Sequence, residues 1–144
     1  MKPADMSESS NTISAFQALG GEAGVRRLVD GFYDLMDADP AYAVLRALHP
    51  ADLSGSRDKL YWFLCGWLGG PQLYVERFGH PRLRARHLPF SIGVVERDQW
   101  MDCMLRSLSR NQVPDGIARQ LAGSLFTTAD WMRNRAEESG DSDF

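Results

Sequence analysis

An all-α fold is what this sequence predicts, and three observations carry the prediction. Large apolar residues recur at helical spacing in four long stretches, and glycine and proline fall between those stretches. The run that most resembles a strand, Ile92 to Val95, leads straight into another helical pattern. At 144 residues and 44% hydrophobic content the chain supports one domain with a core and is too short for two of ordinary size. A net charge of -3 leaves no global basic field to hold nucleic acid. The longest apolar run, Tyr61 to Leu68, is too short to span a bilayer, and the N-terminus lacks a signal pattern. Cys65 and Cys103 stand in apolar helical patterns with no Cys-x-x-Cys spacing, which suits buried thiols in a reducing, cytoplasmic compartment and not a zinc site.

Residues 1–13, rich in polar side chains, read as a mobile leader. Ile13, Phe16 and Leu19 suit a short helix that Gly20-Gly21 breaks. Val25, Leu28, Val29, Phe32, Tyr33 and Met36 then define an amphipathic helix as far as Asp39-Pro40, and its last inward turn carries Phe32 and Tyr33. Tyr42, Val44, Leu45 and Leu48 form a shorter apolar pattern that ends at His49-Pro50, placing His49 at a corner. Asp52, Ser54 and Ser56 offer caps for a helix whose inward stripe is Leu60, Phe63, Leu64, Trp67 and Leu68, stopped by Gly69-Gly70-Pro71. Pro71 starts a brief turn of helix through Leu73, Tyr74 and Phe78. Trp100, Met104 and Leu108 predict a helix from about Val95 to Arg110, and Val113-Pro114-Asp115-Gly116 reads as a connector. Ile117, Leu121, Leu125, Thr128 and Met132 mark the last helix. Residues 136–144, with Glu137, Glu138, Asp141 and Asp143, read as a solvated acidic tail.

The chemistry concentrates between Gly79 and Phe90, where two histidines, three arginines and two prolines crowd together. Pro89 ends any helix begun near Pro81 at about His87, so His87 is a terminal residue. At such an end an unpaired carbonyl can accept a hydrogen bond from one imidazole nitrogen, leaving the lone pair of the other free for a metal. Arg82, Arg84 and Arg86 together want an anion with several oxygens. Haem, an iron macrocycle with two carboxylates at one edge, meets both demands; a surface charge cluster or a phosphate site is the plainer reading. His80 caps or packs the same loop.

These residues resemble the truncated haemoglobins, specifically their second group. The likeness spans residues 14–135 and rests on Gly20-Gly21, Phe32-Tyr33, Trp67-Leu68-Gly69-Gly70-Pro71, the stretch from Gly79 to Phe90, and Arg97-Asp98-Gln99-Trp100 with Cys103-Met104 following. The resemblance implies a two-over-two helical sandwich around haem b, iron protoporphyrin IX, with His87 as the proximal ligand. It implies a distal pocket of Tyr33, Trp100 and His49, with Ser56 where many globins carry a distal histidine, Leu60 and Phe63 as apolar wall, and Phe32 behind Tyr33. For the propionates Arg84 and Arg86 are the local candidates, with Lys59 opposite and the Tyr74 hydroxyl nearby.

A bound dioxygen carries partial negative charge on its outer oxygen, so an indole N–H or a phenol favours it over apolar carbon monoxide. The donor has to come from Trp100, Tyr33 or His49. His49 itself has three roles open to it: a neutral donor, a cationic donor at lower pH, or a free nitrogen that binds ferric iron. The expectation is a monomer or weak homodimer that holds dioxygen tightly and acts on bound nitric oxide or peroxide with electrons from a reductase the sequence does not name. Oxygen transport suits several donors less well, because each slows release. A gas sensor acting through a partner, and a haem-free helical interaction domain, are the competing readings.

Overall fold

A computed structural model describes residues 14–135; the expected leader, 1–13, and acidic tail, 136–144, lie outside the described residues. Among the described residues the elements are all helical: α1 (Ala15–Ala18), α2 (Gly21–Ala38), a 3-10 turn (Pro40–Tyr42), α3 (Ala43–Arg46), α4 (Ser54–Trp67), α5 (Leu73–Phe78), α6 (Leu83–His87), α7 (Val94–Arg110) and α8 (Asp115–Trp131). The Ile92 to Val95 run forms no strand, as the helical spacing beyond it predicts.

Helix α1 is capped by Ser14, whose hydroxyl accepts from the Gln17 amide at 3.1 Å. The chain then turns through Gly20 and Gly21 at φ 101° and 70°, values that favour residues without a Cβ. Helix α2 buries Val25, Leu28, Val29, Phe32, Tyr33 and Met36, the face its spacing predicts, and Leu35 beyond it. It packs on α4 and on α7, and α7 packs on α8, which gives the two-over-two arrangement. Each large apolar side chain buried in this way contributes about 1.5–3 kcal/mol. Polar groups fix the register between α2 and α7: the Ser107 hydroxyl donates to the Leu28 carbonyl at 2.8 Å and the Cys103 thiol to that of Phe32 at 3.1 Å. Arg57 on α4 reaches Asp30 and Asp34 on α2 at 3.2 and 2.7 Å.

Several expectations need correction. Val44 is exposed, because neighbouring residues of a helical turn point to different faces and the inward ones here are Tyr42 and Leu45. Of the three offered caps only Asp52 acts, taking both the amide and the hydroxyl of Ser54 at 2.9 and 2.7 Å. Asp115 and Gly116 are not connector but the first turn of α8, since Pro114 sits at the cap where its missing N–H costs nothing and Asp115 faces the positive helix end. His80 is exposed, so among the described residues it does not pack into the loop.

Candidate functional site

Helix α6 ends at His87, as expected from Pro89, although Leu88 keeps helical angles at φ -57° and ψ -33°, and the Nδ1 of His87 stands 2.6 Å from the Leu83 carbonyl. A carbonyl only accepts, so Nδ1 carries the proton and Nε2 keeps its lone pair. His87 lines a cavity of about 640 Å³, within the range of small-molecule and cofactor sites. Leu60, Phe63 and Leu64 from α4, Ile92 from the loop before α7, and Leu125 and Met132 at α8 supply apolar wall. Tyr33 from α2, His49 from the corner, Ser56 and Lys59 from α4, Tyr74 from α5, Arg86 from α6 and Trp100 from α7 open onto the same space.

Burial raises the Tyr33 phenol well above its ordinary 10.0, with Arg57 opposing, so the hydroxyl keeps its proton and remains a donor. Phe32 does not line the cavity; it lies fully buried behind Tyr33 and Trp100, edge-on to both at ring distances of 5.0 and 5.1 Å. His49 stands edge-on to Tyr33 at 5.8 Å, and its Nδ1 is 3.0 Å from the Leu45 carbonyl. That bond takes the single proton of neutral His49, so the nitrogen left over is an acceptor and the neutral-donor role falls away. Burial, first of all, lowers the His49 pKa from 6.5, which moves the cationic donor to more acidic pH.

Arg84 is placed elsewhere. Its Nε and Nη2 donate to the carbonyls of Trp131 and Arg133 at 3.1 and 3.3 Å, and its guanidinium stacks 5.4 Å from the Trp131 ring. Arg84 lies on an open groove of about 1180 Å³ with Arg82, Leu88, Trp131 and Arg133, and not on the cavity of His87 and Trp100. Arg86 does reach the cavity, with Nε on the Pro81 carbonyl at 2.8 Å and the guanidinium 5.7 Å from the Tyr74 ring. Sequence reasoning passed over Glu96, which lines the cavity beneath α7's first turn. Burial alone would raise its carboxyl, but the Gly93 and Glu96 amides and the Arg135 guanidinium hold it below the ordinary 4.5. The Glu three residues after a glycine before an apolar helix was the available signal.

The residues present fit haem. Among the described residues no three His, Cys, Asp or Glu gather to hold a metal, so an iron at His87 needs a macrocycle to complete its coordination. The cavity is apolar in its walls, and Lys59, Arg86 and Tyr74 supply cations and a hydroxyl suited to two carboxylates.

The model of the bacterial-like globin family matches residues 14–134. Group 2 truncated hemoglobin YjbI of Bacillus subtilis is 39% identical over 132 residues, 92% of this chain and 96% of that protein. The group II 2-on-2 hemoglobin of Agrobacterium tumefaciens superposes with a TM-score of 0.84 at 43% identity, covering 87% of this chain and 97% of that one. The truncated oxygen-avid haemoglobin of Bacillus subtilis superposes with a TM-score of 0.78 at 38% identity, covering 85% of this chain and 100% of that one. With a family model over nearly all the described residues and a relative matched almost end to end, this chain belongs to the group II truncated haemoglobins of the bacterial-like globin family.

Proposed function

We propose that this protein binds haem b through His87 and uses it to hold dioxygen tightly, acting on bound nitric oxide or peroxide with electrons from a reductase and not serving delivery. Haem and dioxygen binding follow from family membership, and no described helix is long and apolar enough to cross a membrane. The observation that carries the finer reading is the meeting in one cavity of a histidine with its Nδ1 proton tied back and of two donors, the Tyr33 phenol and the Trp100 indole, from two other helices. When bound, haem supplies an iron that takes diatomic gases and changes oxidation state.

The chain's own residues do the rest. Leu83 holds the His87 proton, which orients the ring and keeps the free lone pair on Nε2. Lys59, Arg86 and Tyr74 would bind the propionates; of the two local arginine candidates, Arg86 opens onto the cavity and Arg84 does not. Leu60, Phe63 and their neighbours exclude water, which strengthens hydrogen bonds within the cavity. Tyr33 and Trp100 would donate to the outer atom of a polar ligand, with the Ser56 hydroxyl on the same cavity, while neutral His49 presents a lone pair that can accept only from a neighbouring hydroxyl. Three donor groups around one small ligand suit retention and chemistry better than release.

The test is His87→Ala in the full chain. The parent shows a Soret band at one haem per chain and oxidises nitric oxide or reduces peroxide with an added reductase. The variant loses most of its haem, and its melting temperature drops, because a ligand bound only to the folded state stabilises it. An unchanged Soret spectrum and haem content in the variant removes His87 as axial ligand. A parent that binds haem but turns over neither substrate fits a sensor instead.

A further inference from the structure

The helix that presents His87 has little to hold it. It is five residues long with no buried side chain, and it is entered through Arg82 in the left-handed region at φ 47°. Helices this short do not persist by their own hydrogen bonds, and this one has no buried side chain to anchor it. Its anchors are polar and come from the last residue of α8 and the segment that follows it. Arg84 binds the carbonyls of Trp131 and Arg133. Asn134 does more: its Nδ2 donates to the carbonyls of His87 and Phe90 at 3.3 and 2.8 Å, and its Oδ1 accepts from the Ile92 amide at 2.9 Å. Its own amide donates to the Ile92 carbonyl at 2.9 Å. Both side-chain donors and the acceptor of one residue are therefore spent on the loop from His87 to Ile92.

We propose that Asn134, with Arg84 as its second strap, is a positioning residue for the proximal histidine, fixing the backbone of His87 against the end of α8 and so setting the geometry in which Nε2 is offered to iron. The proposal rests on His87 being the iron ligand. The imidazole is then held at both ends of its residue, by Leu83 at Nδ1 and by Asn134 at the backbone carbonyl. Substituting the side chain leaves the Asn134 amide on the Ile92 carbonyl at the far end of the loop and the Phe90 amide on the His87 carbonyl at 3.0 Å, and neither bond ties His87 itself to the end of α8.

Asn134→Asp keeps the shape and the acceptor for Ile92 but sets an oxygen against two carbonyls. Asn134→Ala removes the amide. Both are read in the full-length, haem-loaded, ferrous protein by the iron–histidine stretching band in resonance Raman. The expected result is retained haem with a band shifted and broadened relative to the parent. In the haem-free chain, amide exchange at Leu88 and Phe90 rises roughly five- to tenfold, the loss of about one net hydrogen bond. Arg84→Lys, on an exposed side chain that folds whatever happens at position 134, shifts the band in the same sense. Arg97→Gln loosens α8 at Asp130 without touching the loop and leaves the band in place. A parent without an iron–histidine band overturns the haem reading itself. A parent with the band, and parental bands in Arg84→Lys and in whichever Asn134 variant folds, overturns the strap.

Discussion

A single backbone hydrogen bond decides what His49 can do. The Leu45 carbonyl at 3.0 Å claims the Nδ1 proton, and burial holds the pKa below 6.5, so at neutral pH the ring offers the cavity a lone pair and no proton. The folded-state pKa is the lower one, so protonation of His49 begins only below its unperturbed value. Dioxygen release is therefore expected to be level from pH 8 to about 6.5 and to slow only at more acidic pH, as the Nε2 proton arrives. In His49→Phe the acid slowing disappears; stopped-flow release that already slows between pH 8 and pH 7 in the parent contradicts the assignment. Trp100 is a donor at every pH. Replacing it with Phe keeps most of the bulk and deletes the N–H, and a hydrogen bond to a charged acceptor is worth about 1.5–3 kcal/mol, so dioxygen release accelerates roughly ten- to a hundredfold. Carbon monoxide release changes less. Equal acceleration for both gases would make Trp100 a steric gate.

At the scale of the element, the junction of α1 and α2 is set by backbone proximity. A Cβ on Gly24 would stand 1.7 Å from the Leu19 carbonyl oxygen and 2.5 Å from its carbon, and neither belongs to a flexible side chain that could yield. Gly24→Ala, which raises helix propensity, is expected to destabilise the protein by about 1–3 kcal/mol or more, because overpacking against backbone outweighs the propensity gain. Urea unfolding measures it, and a variant as stable as the parent shows that α1 swings aside freely. Periodicity made the four long helices legible, and the proline at position 89 placed the end of α6, because both signals are local. The positions of Tyr33, Trp100 and His87 around one cavity were legible only through the family's pattern, since no spacing rule says which helices meet. Arg84 and Asn134 were illegible for a third reason. Their partners are main-chain carbonyls and amides of residues far along the chain, which carry no mark in the sequence. An arginine among arginines reads as an anion site whether it faces a propionate or a helix end.

For the molecule as a whole, the carboxylates that fasten one element to the next make stability depend on acid. The Ala41 amide, then Arg106, hold Asp39 below its ordinary 3.8, joining the end of α2 to α7. The Ser54 amide and hydroxyl do the same for Asp52 at the start of α4. Arg97, then Arg133, lower Asp130 and tie α8 to α7, while Glu96 is lowered where Arg135 crosses the start of α7. Each folded-state pKa lies below its unfolded value, so near and below pH 4.5 the unfolded chain binds more protons. The stability these groups contribute is whole above the unfolded values and is lost as pH falls through the folded ones. His49 acts in the same direction but earlier, because its depressed pKa lets the unfolded chain take the proton first below 6.5. Tyr42, pushed up to about 12 chiefly by burial, donates to Asp102 at 2.6 Å and does not titrate in this range. The melting temperature of the full chain is therefore expected to be level from pH 8 to about 6.5, to decline gently to about 4.5, and to fall steeply below. Asp130→Asn, which keeps the shape but cannot ionise, lowers the neutral-pH melting temperature and flattens the steep limb. Circular dichroism melts across the series decide the matter, and a parent profile that stays level down to pH 3 would show that these junctions contribute nothing to the fold.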